Sequence, residues 1–233
     1  LRTVGAELAK LSVGRKAILI TDPAIDRLHG EPVARSLSGA GFDLIRLSVP
    51  EGEQAKVLER ARELWDRLLD GGCDRSSTVV ALGGGAVGDL SGFVAATYMR
   101  GMNFVPVPTT LLAQVDASIG GKTAIDHPRA KNLIGAFHQP RLVLVDPAVL
   151  ATLPEREFRS GLAEVIKHGI VLDAGYFEDL EASVQALVGR DLKTLERVVA
   201  GSCRLKAGIV ERDEQETELR WVLNYGHTVG HAI

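Results

Sequence analysis

Cysteine is scarce in this sequence: Cys73 and Cys203 are the only two among 233 residues. Neither stands at a metal-binding or redox spacing, so a disulfide framework is excluded and the pair reads as reduced thiols of a cytoplasmic protein. Long apolar runs are also missing. No stretch approaches the ~18–20 residues of a membrane span, and the opening LRTVGAELAK lacks the apolar core of a signal peptide. Blocks of like charge do not occur, and the net charge is only −3. That excludes the basic footprint of a nucleic-acid binder and the polybasic patch of a membrane-surface protein. Aromatics are few, and there is no internal repeat or low-complexity linker.

What is present is a 45% apolar content with 25 glycines, the composition of a globular chain long enough to bury a sizeable core. The sequence begins with Leu1 rather than Met and stops at Ile233 inside the motif LNYGHTVGHAI. Both ends are therefore expected to fall short of the natural chain.

Short, β-branched, nearly continuous apolar segments mark strands at residues 16–21, 44–49, 78–82, 104–108 and 142–146, the pattern of strands covered on both faces. Between them, AKVLERARELWDRLLDGG repeats its apolar positions at helical spacing and stops at Gly71-Gly72. Strands alternating with helices imply a parallel sheet. Beyond residue 150 strand signals cease: TLPEREFRSGLAEVIKHGIVLD opens with Thr152 as a candidate N-cap and Pro154 in the first turn, and two further helical stretches follow. The expected organisation is an α/β domain over 1–150 and an all-α domain over 151–233.

Four stretches carry candidate chemistry. VVALGGGAVGDLSG places Gly83, Gly85 and Gly88 at G-x-G-x-x-G spacing between a strand and a helix, either a pyrophosphate-binding turn or one needed only for packing. The acid expected at the end of the next strand is absent. VPTTLLAQVDASIGGKTAID sets Thr109 and Thr110 before a helix and brackets Gly120-Gly121 with Asp116 and Lys122, with Asp126, Lys131 and Asn132 close behind; this is a polar loop or a ligand site. GLAEVIKHG puts Glu164 and Lys167 three apart, which taken alone reads as a helical ion pair. His168, four after Glu164, reads as either a metal ligand or, more in keeping with its place, a helix-terminal histidine favoured by the dipole. Finally, Arg220, Asn224, His227 and His231 would align along one side of a helix, an array unsuited to core or plain surface.

Taken together, GGGAVGDLSGFVAATYMRG, VPTTLLAQVDASIGGKTAID, KNLIGAFHQP, GLAEVIKHG and LNYGHTVGHAI resemble the 3-dehydroquinate synthase family of sugar phosphate cyclases, along nearly the whole chain. The resemblance implies a Rossmann-like domain followed by a helical one, a homodimer, and an active site in the cleft between domains that uses NAD and one divalent ion, zinc or cobalt. It assigns NAD to Asp22, Glu53, Lys56, Gly84, Gly85, Asp89, Thr109, Thr110, Lys122, Lys131, Asn132 and Thr152. Glu164 and His227 become metal ligands, with a third histidine expected beyond Ile233. Arg100, Asp116, Lys122, Lys167, Lys206, Arg220, Asn224 and His231 become contacts to a phosphorylated keto-acid, with Arg100 reaching in from the partner subunit. The implied reaction converts 3-deoxy-D-arabino-heptulosonate 7-phosphate to 3-dehydroquinate and phosphate. The alternatives are another cyclase such as 2-deoxy-scyllo-inosose synthase, a glycerol-dehydrogenase-like enzyme releasing NADH, and a non-catalytic remnant that still binds NAD.

Overall fold

A computed structural model describes residues 1–226. These divide into two units, one formed by Leu1–Thr109 with Gly121–Asp146, the other by Thr110–Gly120 with the chain from Pro147.

The first unit is built on a parallel sheet of β1 (Lys16–Thr21), β2 (Asp43–Ser48), β3 (Thr78–Gly83) and β4 (Asn103–Pro108), in the order β2-β1-β3-β4. Its helices are α1 (Val4–Ala9), α2 (Pro23–Ile25), which runs through a π turn into α3 (Glu31–Gly39), α4 (Leu58–Asp70) and α5 (Gly85–Thr97). Strand alternation sorts the core into two layers. Ile18, Ile20, Val79 and Ala81 pack with Leu64 and Leu68 of α4 and with Leu90 and Val94 of α5. Ala17, Leu19, Val80 and Leu82 pack with Leu8 of α1 and Leu37 of α3 on the other face. β1 and β3 are thus buried almost throughout, as their continuous apolar character predicts, whereas β2 is an edge strand with alternating exposure.

The expected strand at 142–146 does not form. The segment lies beside β4 and donates from Arg141 N to Phe104 O and from Leu144 N to Pro106 O, 2.9 and 3.0 Å. The return bonds of a parallel ladder would have to come from the N–H groups of residues 106 and 108, and both are prolines. Conversely, the stretch read as a polar loop contains a hairpin, β5 (Lys122–His127) and β6 (Ala130–Phe137). β6 is exposed along most of its length, so no apolar alternation announces it.

The second unit is helical among its described residues: α6 (Glu155–Leu172), α7 (Ala174–Ala182), α8 (Val184–Val188) and α9 (Leu192–Val210), with a π turn at Ala113–Ala117 and short 3-10 helices at Pro147–Thr152 and Leu219–Asn224. Asp173 and Asp191 cap α7 and α9 by accepting from Tyr176 N and Thr194 N, 2.8 and 2.9 Å. Thr152 does not cap α6: it closes the preceding 3-10 turn and its hydroxyl donates to Val149 O at 2.8 Å, leaving Pro154 at the N-cap. Gly161 lets α6 approach the 110–120 segment, for a Cβ there would stand 2.6 Å from Leu111 Cβ and 2.7 Å from Leu112 N. No helix among the described residues is long and apolar enough to cross a membrane.

Candidate active site

In the first unit, Lys56 is almost fully buried, 2% exposed, which demands compensation of its charge. Its Nζ donates to Asp89 Oδ2 at 2.7 Å and to Asn132 Oδ1, with Glu53 Oε2 3.8 Å away. The β5–β6 hairpin completes the cluster through an irregularity of register next to Asp126. Asp126 N donates to Lys56 O at 2.6 Å, and Asp126 Oδ1 accepts from Asn132 N at 2.7 Å, holding Asn132 at a positive φ of 54°. Burial pushes the Asp126 carboxyl up, but the Asn132 N–H and the Lys56 charge outweigh it and hold it below the ordinary range. Four residues assigned by resemblance to the cofactor, Glu53, Lys56, Asp89 and Asn132, therefore meet around one ammonium group.

Close by in sequence, Gly84 occupies the N-cap of α5 and Gly85 its first position, so the helix start is bare backbone. Gly83 has a packing role: a Cβ there would meet the Val87 side chain at 2.7 Å. Thr109 N donates to Gly83 O at 2.9 Å, while the buried Thr109 hydroxyl finds no partner among the described residues. Asp22 caps α2, its Oδ1 accepting from Ala24 N and Ile25 N at 2.9 Å each. Lys122 opens β5 and Lys131 is the second residue of β6, both with exposed side chains. Arg100 sits at φ 66° beside the bend before β4.

The second unit holds a denser constellation. Lys206 of α9 donates to Asp116 Oδ1 at 2.6 Å and to the Asp116 carbonyl. Burial would raise the Asp116 carboxyl, yet the Lys206 charge holds it below the ordinary range; burial in turn pulls the Lys206 ammonium down against the attraction of Asp116. On α6, Lys167 contacts Glu164 Oε1 and the Leu223 carbonyl, and both side chains are about one-tenth exposed. This is more than the surface ion pair the spacing suggests. His168 departs from its reading as a helix-terminal histidine: α6 continues to Leu172, and the ring is fully buried with Nε2 3.2 Å from Glu164 Oε1. Ligand atoms of Asp116, Glu164 and His168 all lie within 4.8 Å of one another.

Arg220 joins this unit through a loop built by Asp213, whose carboxylate accepts from the backbone N–H groups of Thr217, Glu218 and Arg220 at 2.8–3.0 Å. These three bonds hold its pKa far below the usual carboxylate range. The Arg220 guanidinium lies on the backbone of Gly120, donating to its carbonyl at 3.2 Å; a Cβ at Gly120 would fall 2.3 Å from Nη2. Arg220 and Asn224 do not share one helical side as expected. Residues 219–224 form a 3-10 turn, whose period of three places Arg220 with Leu223 in the interior and rotates Asn224 outward. The turn then ends in an extended Tyr225 and a positive-φ Gly226. His227 and His231 lie outside the described residues.

Thr110 Oγ1 accepts from Ala113 N at 3.1 Å and so caps the helical turn that carries Asp116. Three participants escape sequence reasoning. Asp126 is visible there only as one polar residue among several, Ser202, whose Oγ lies 3.2 Å from His168 Nδ1, has no spacing that links it to that ring, and Asp213 shows only an Asp–Thr spacing suited to a side-chain turn.

A parallel-sheet unit with a glycine-opened helix, joined to a helical unit carrying buried lysines and carboxylates, defines a class of two-part α/β enzyme folds, and comparison with known proteins specifies it. Among solved structures the chain is similar to 2-epi-5-epi-valiolone synthase from Streptomyces hygroscopicus with NAD+ and Zn2+ bound, with a TM-score of 0.86 at 32% identity over 92% of this chain and 61% of that one. It is also similar to 2-deoxy-scyllo-inosose synthase complexed with carbaglucose-6-phosphate, NAD+ and Co2+, with a TM-score of 0.91 at 27% identity over 99% of this chain and 63% of that one. A glycerol dehydrogenase from Schizosaccharomyces pombe shares the fold alone, at 17% identity and a TM-score of 0.68 over 88% of this chain and 58% of that one. Family models of the 3-dehydroquinate synthase N-terminal and C-terminal regions match residues 46–160 and 161–233. The chain belongs to the 3-dehydroquinate synthase family. It is 55% identical to the 3-dehydroquinate synthase of Pelotomaculum thermopropionicum and 52% identical to that of Geobacter metallireducens, over 100% and 99% of its length. It spans 63% and 64% of those two relatives.

Proposed function

We propose that the protein containing this chain is a 3-dehydroquinate synthase, converting 3-deoxy-D-arabino-heptulosonate 7-phosphate to 3-dehydroquinate and phosphate. The observation that carries this reading is the set of buried cations in the second unit, Lys167, Lys206 and Arg220, interleaved with Asp116 and Glu164. Buried cations are retained where an anionic partner is to be met, and a keto-acid phosphate brings both a carboxylate and a phosphate.

The residues fit the two groups that the relatives carry. Glu164 and His227 would hold a divalent ion; the Glu164 carboxylate is buried, and a carboxylate with imidazole suits zinc or cobalt. Glu53, Lys56, Asp89, Asn132, the Gly84–Gly85 helix start and the Thr109 hydroxyl, unpartnered among the described residues, would hold NAD, with Asp22, Thr110, Lys122, Lys131 and Thr152 completing the set. When bound, NAD supplies a hydride acceptor that is restored within the turnover, and the divalent ion supplies a Lewis acid for the substrate hydroxyls.

The chain's own side chains do the remainder. Lys206 and Arg220 bind the anionic ends of the substrate, helped by Lys122, His231 and the partner subunit's Arg100 in a homodimer. Asp116, kept ionised beside Lys206, accepts from the ring hydroxyls; Asn224, on the exposed side of its turn, would add a neutral contact from there. Lys167 holds its ammonium beside Glu164, where it stabilises negative charge developing on a substrate hydroxyl oxygen. Holding one reactant through elimination, ring opening and closure is chiefly a matter of position.

Phosphate release by the full-length protein, supplied with NAD and cobalt or zinc, tests the reading. Release from the heptulosonate phosphate with no net NADH is expected. Release from glucose 6-phosphate instead would favour a 2-deoxy-scyllo-inosose synthase, although the paired Lys206 and Arg220 suit a substrate with a carboxylate. Accumulating NADH with a simple polyol would favour a dehydrogenase.

A further inference from the structure

We propose that His168 is a positioning residue for the Glu164 carboxylate, itself oriented by the line of hydroxyls from the buried Ser202 to the half-buried Tyr176. The inference rests on the assignment of Glu164 as a metal ligand made above. His168 and Ser202 are both fully buried, on α6 and α9. His168 Nδ1 lies 3.2 Å from Ser202 Oγ, Ser202 Oγ lies 3.0 Å from the Tyr176 hydroxyl, and that hydroxyl donates to Val198 O at 2.7 Å. At the other end of the ring, Nε2 faces Glu164 Oε1 at 3.2 Å without full hydrogen-bond alignment.

Proton counting orders this line. An Nε2 lone pair aimed at a carboxylate oxygen would be repulsive, so the contact is favourable when Nε2 carries the proton. In a neutral imidazole Nδ1 is then an acceptor, and Ser202 is the donor within reach. The Tyr176 hydroxyl then has one proton for two acceptors and shares it between Val198 O at 2.7 Å and the Ser202 oxygen at 3.0 Å. Burial pushes the Tyr176 phenol up to about 12, so it remains a donor through the neutral range. Gly201 admits this ring: a Cβ there would stand 2.5 Å from Tyr176 Cε2.

Glu164 Oε1 is thus approached by two groups, the His168 ring and the Lys167 ammonium, and the direction of Oε2 follows from the fixed carboxylate plane. Outer partners of this kind typically change metal affinity by roughly 10–100-fold when removed. Asp116, the remaining carboxylate of the cluster, is held by Lys206 rather than by this line.

The test uses the metal-free full-length protein and measures Co2+ and Zn2+ affinity by chelator competition, with NAD affinity and Tm as controls. Ser202→Ala removes one hydroxyl, and His168→Ala removes the ring. His168→Gln restores an N–H near the Nε2 position. The expected result is weaker metal binding by roughly 10-fold or more in both alanine variants, partial recovery in His168→Gln, and unchanged NAD affinity. In the wild type, 15N NMR of the His168 ring should place the proton on Nε2. Metal affinity unmoved in both alanine variants overturns the inference, as does a proton found on Nδ1, or a loss of Tm in Ser202→Ala that accounts for the whole loss of affinity. A wild type that binds NAD but neither metal would instead remove the assignment of Glu164, and the inference with it.

Discussion

Lys206 and Asp116 meet across 90 positions of sequence, and no spacing rule could have paired them. The only cation that local spacing offers Asp116 is Lys122, across the Gly120-Gly121 turn. Breaking a buried pair by removing one partner costs about 3–5 kcal/mol. Asp116 is a third exposed, so Lys206→Met belongs near the lower end of that range. Substrate affinity should fall strongly, with NAD affinity kept, and equilibrium unfolding should register the stability loss. An unchanged KM for the heptulosonate phosphate would refute the substrate role. For Lys167→Ala the contrast lies between turnover and cofactor: kcat should collapse while NAD binding stays within error, because the contacts of Lys167 are Glu164 and the Leu223 carbonyl, not the Lys56 cluster. A large loss of NAD affinity in a titration would overturn that assignment.

At the scale of elements, the central strands β1 and β3 were legible because burial on both faces writes a continuous apolar run, as in KAILIT and TVVAL. The hairpin that carries Asp126 and Asn132 was not legible, since its exposed strand lacks any alternation. The false strand at 142–146 had the right composition, but its neighbour β4 offers prolines where donors are needed, a fact that resides in the partner strand. The loop of Asp213 is likewise a tertiary matter: one carboxylate gathers three N–H groups and thereby seats Arg220. Its folded pKa lies below the ordinary 3.8, so its contribution to stability is complete above that value and fades as pH falls through the folded one. Asp213→Asn should therefore lose stability at neutral pH, and its gap from the wild type should narrow in strong acid. Urea unfolding at several pH values measures this; a gap that widens in acid would contradict it. Gly161→Ala should also destabilise, by about 1–3 kcal/mol, because its methyl meets Leu111 and the backbone of Leu112 rather than a yielding side-chain end.

At the scale of the whole molecule, the family resemblance was readable from long motif strings, whereas the grouping of Thr110–Gly120 with the helical unit was not, because that segment precedes Pro147 in sequence by a full hairpin. The consequence is a separation of labour within each unit: the Lys56 cluster belongs wholly to the first, and the Asp116–Glu164–Lys206 cluster wholly to the second. A ligand that binds only the native form stabilises it by mass action, and local opening is suppressed first where the contacts are made. Hydrogen exchange on the full-length protein should therefore show NAD slowing amides chiefly around residues 53–56, 83–89 and 126–132, and cobalt or zinc slowing those of α6 and α9. Protection by metal confined to the parallel-sheet unit would place the ion away from Glu164. Protection by NAD confined to α6 and α9 would remove the Lys56 cluster from the cofactor site.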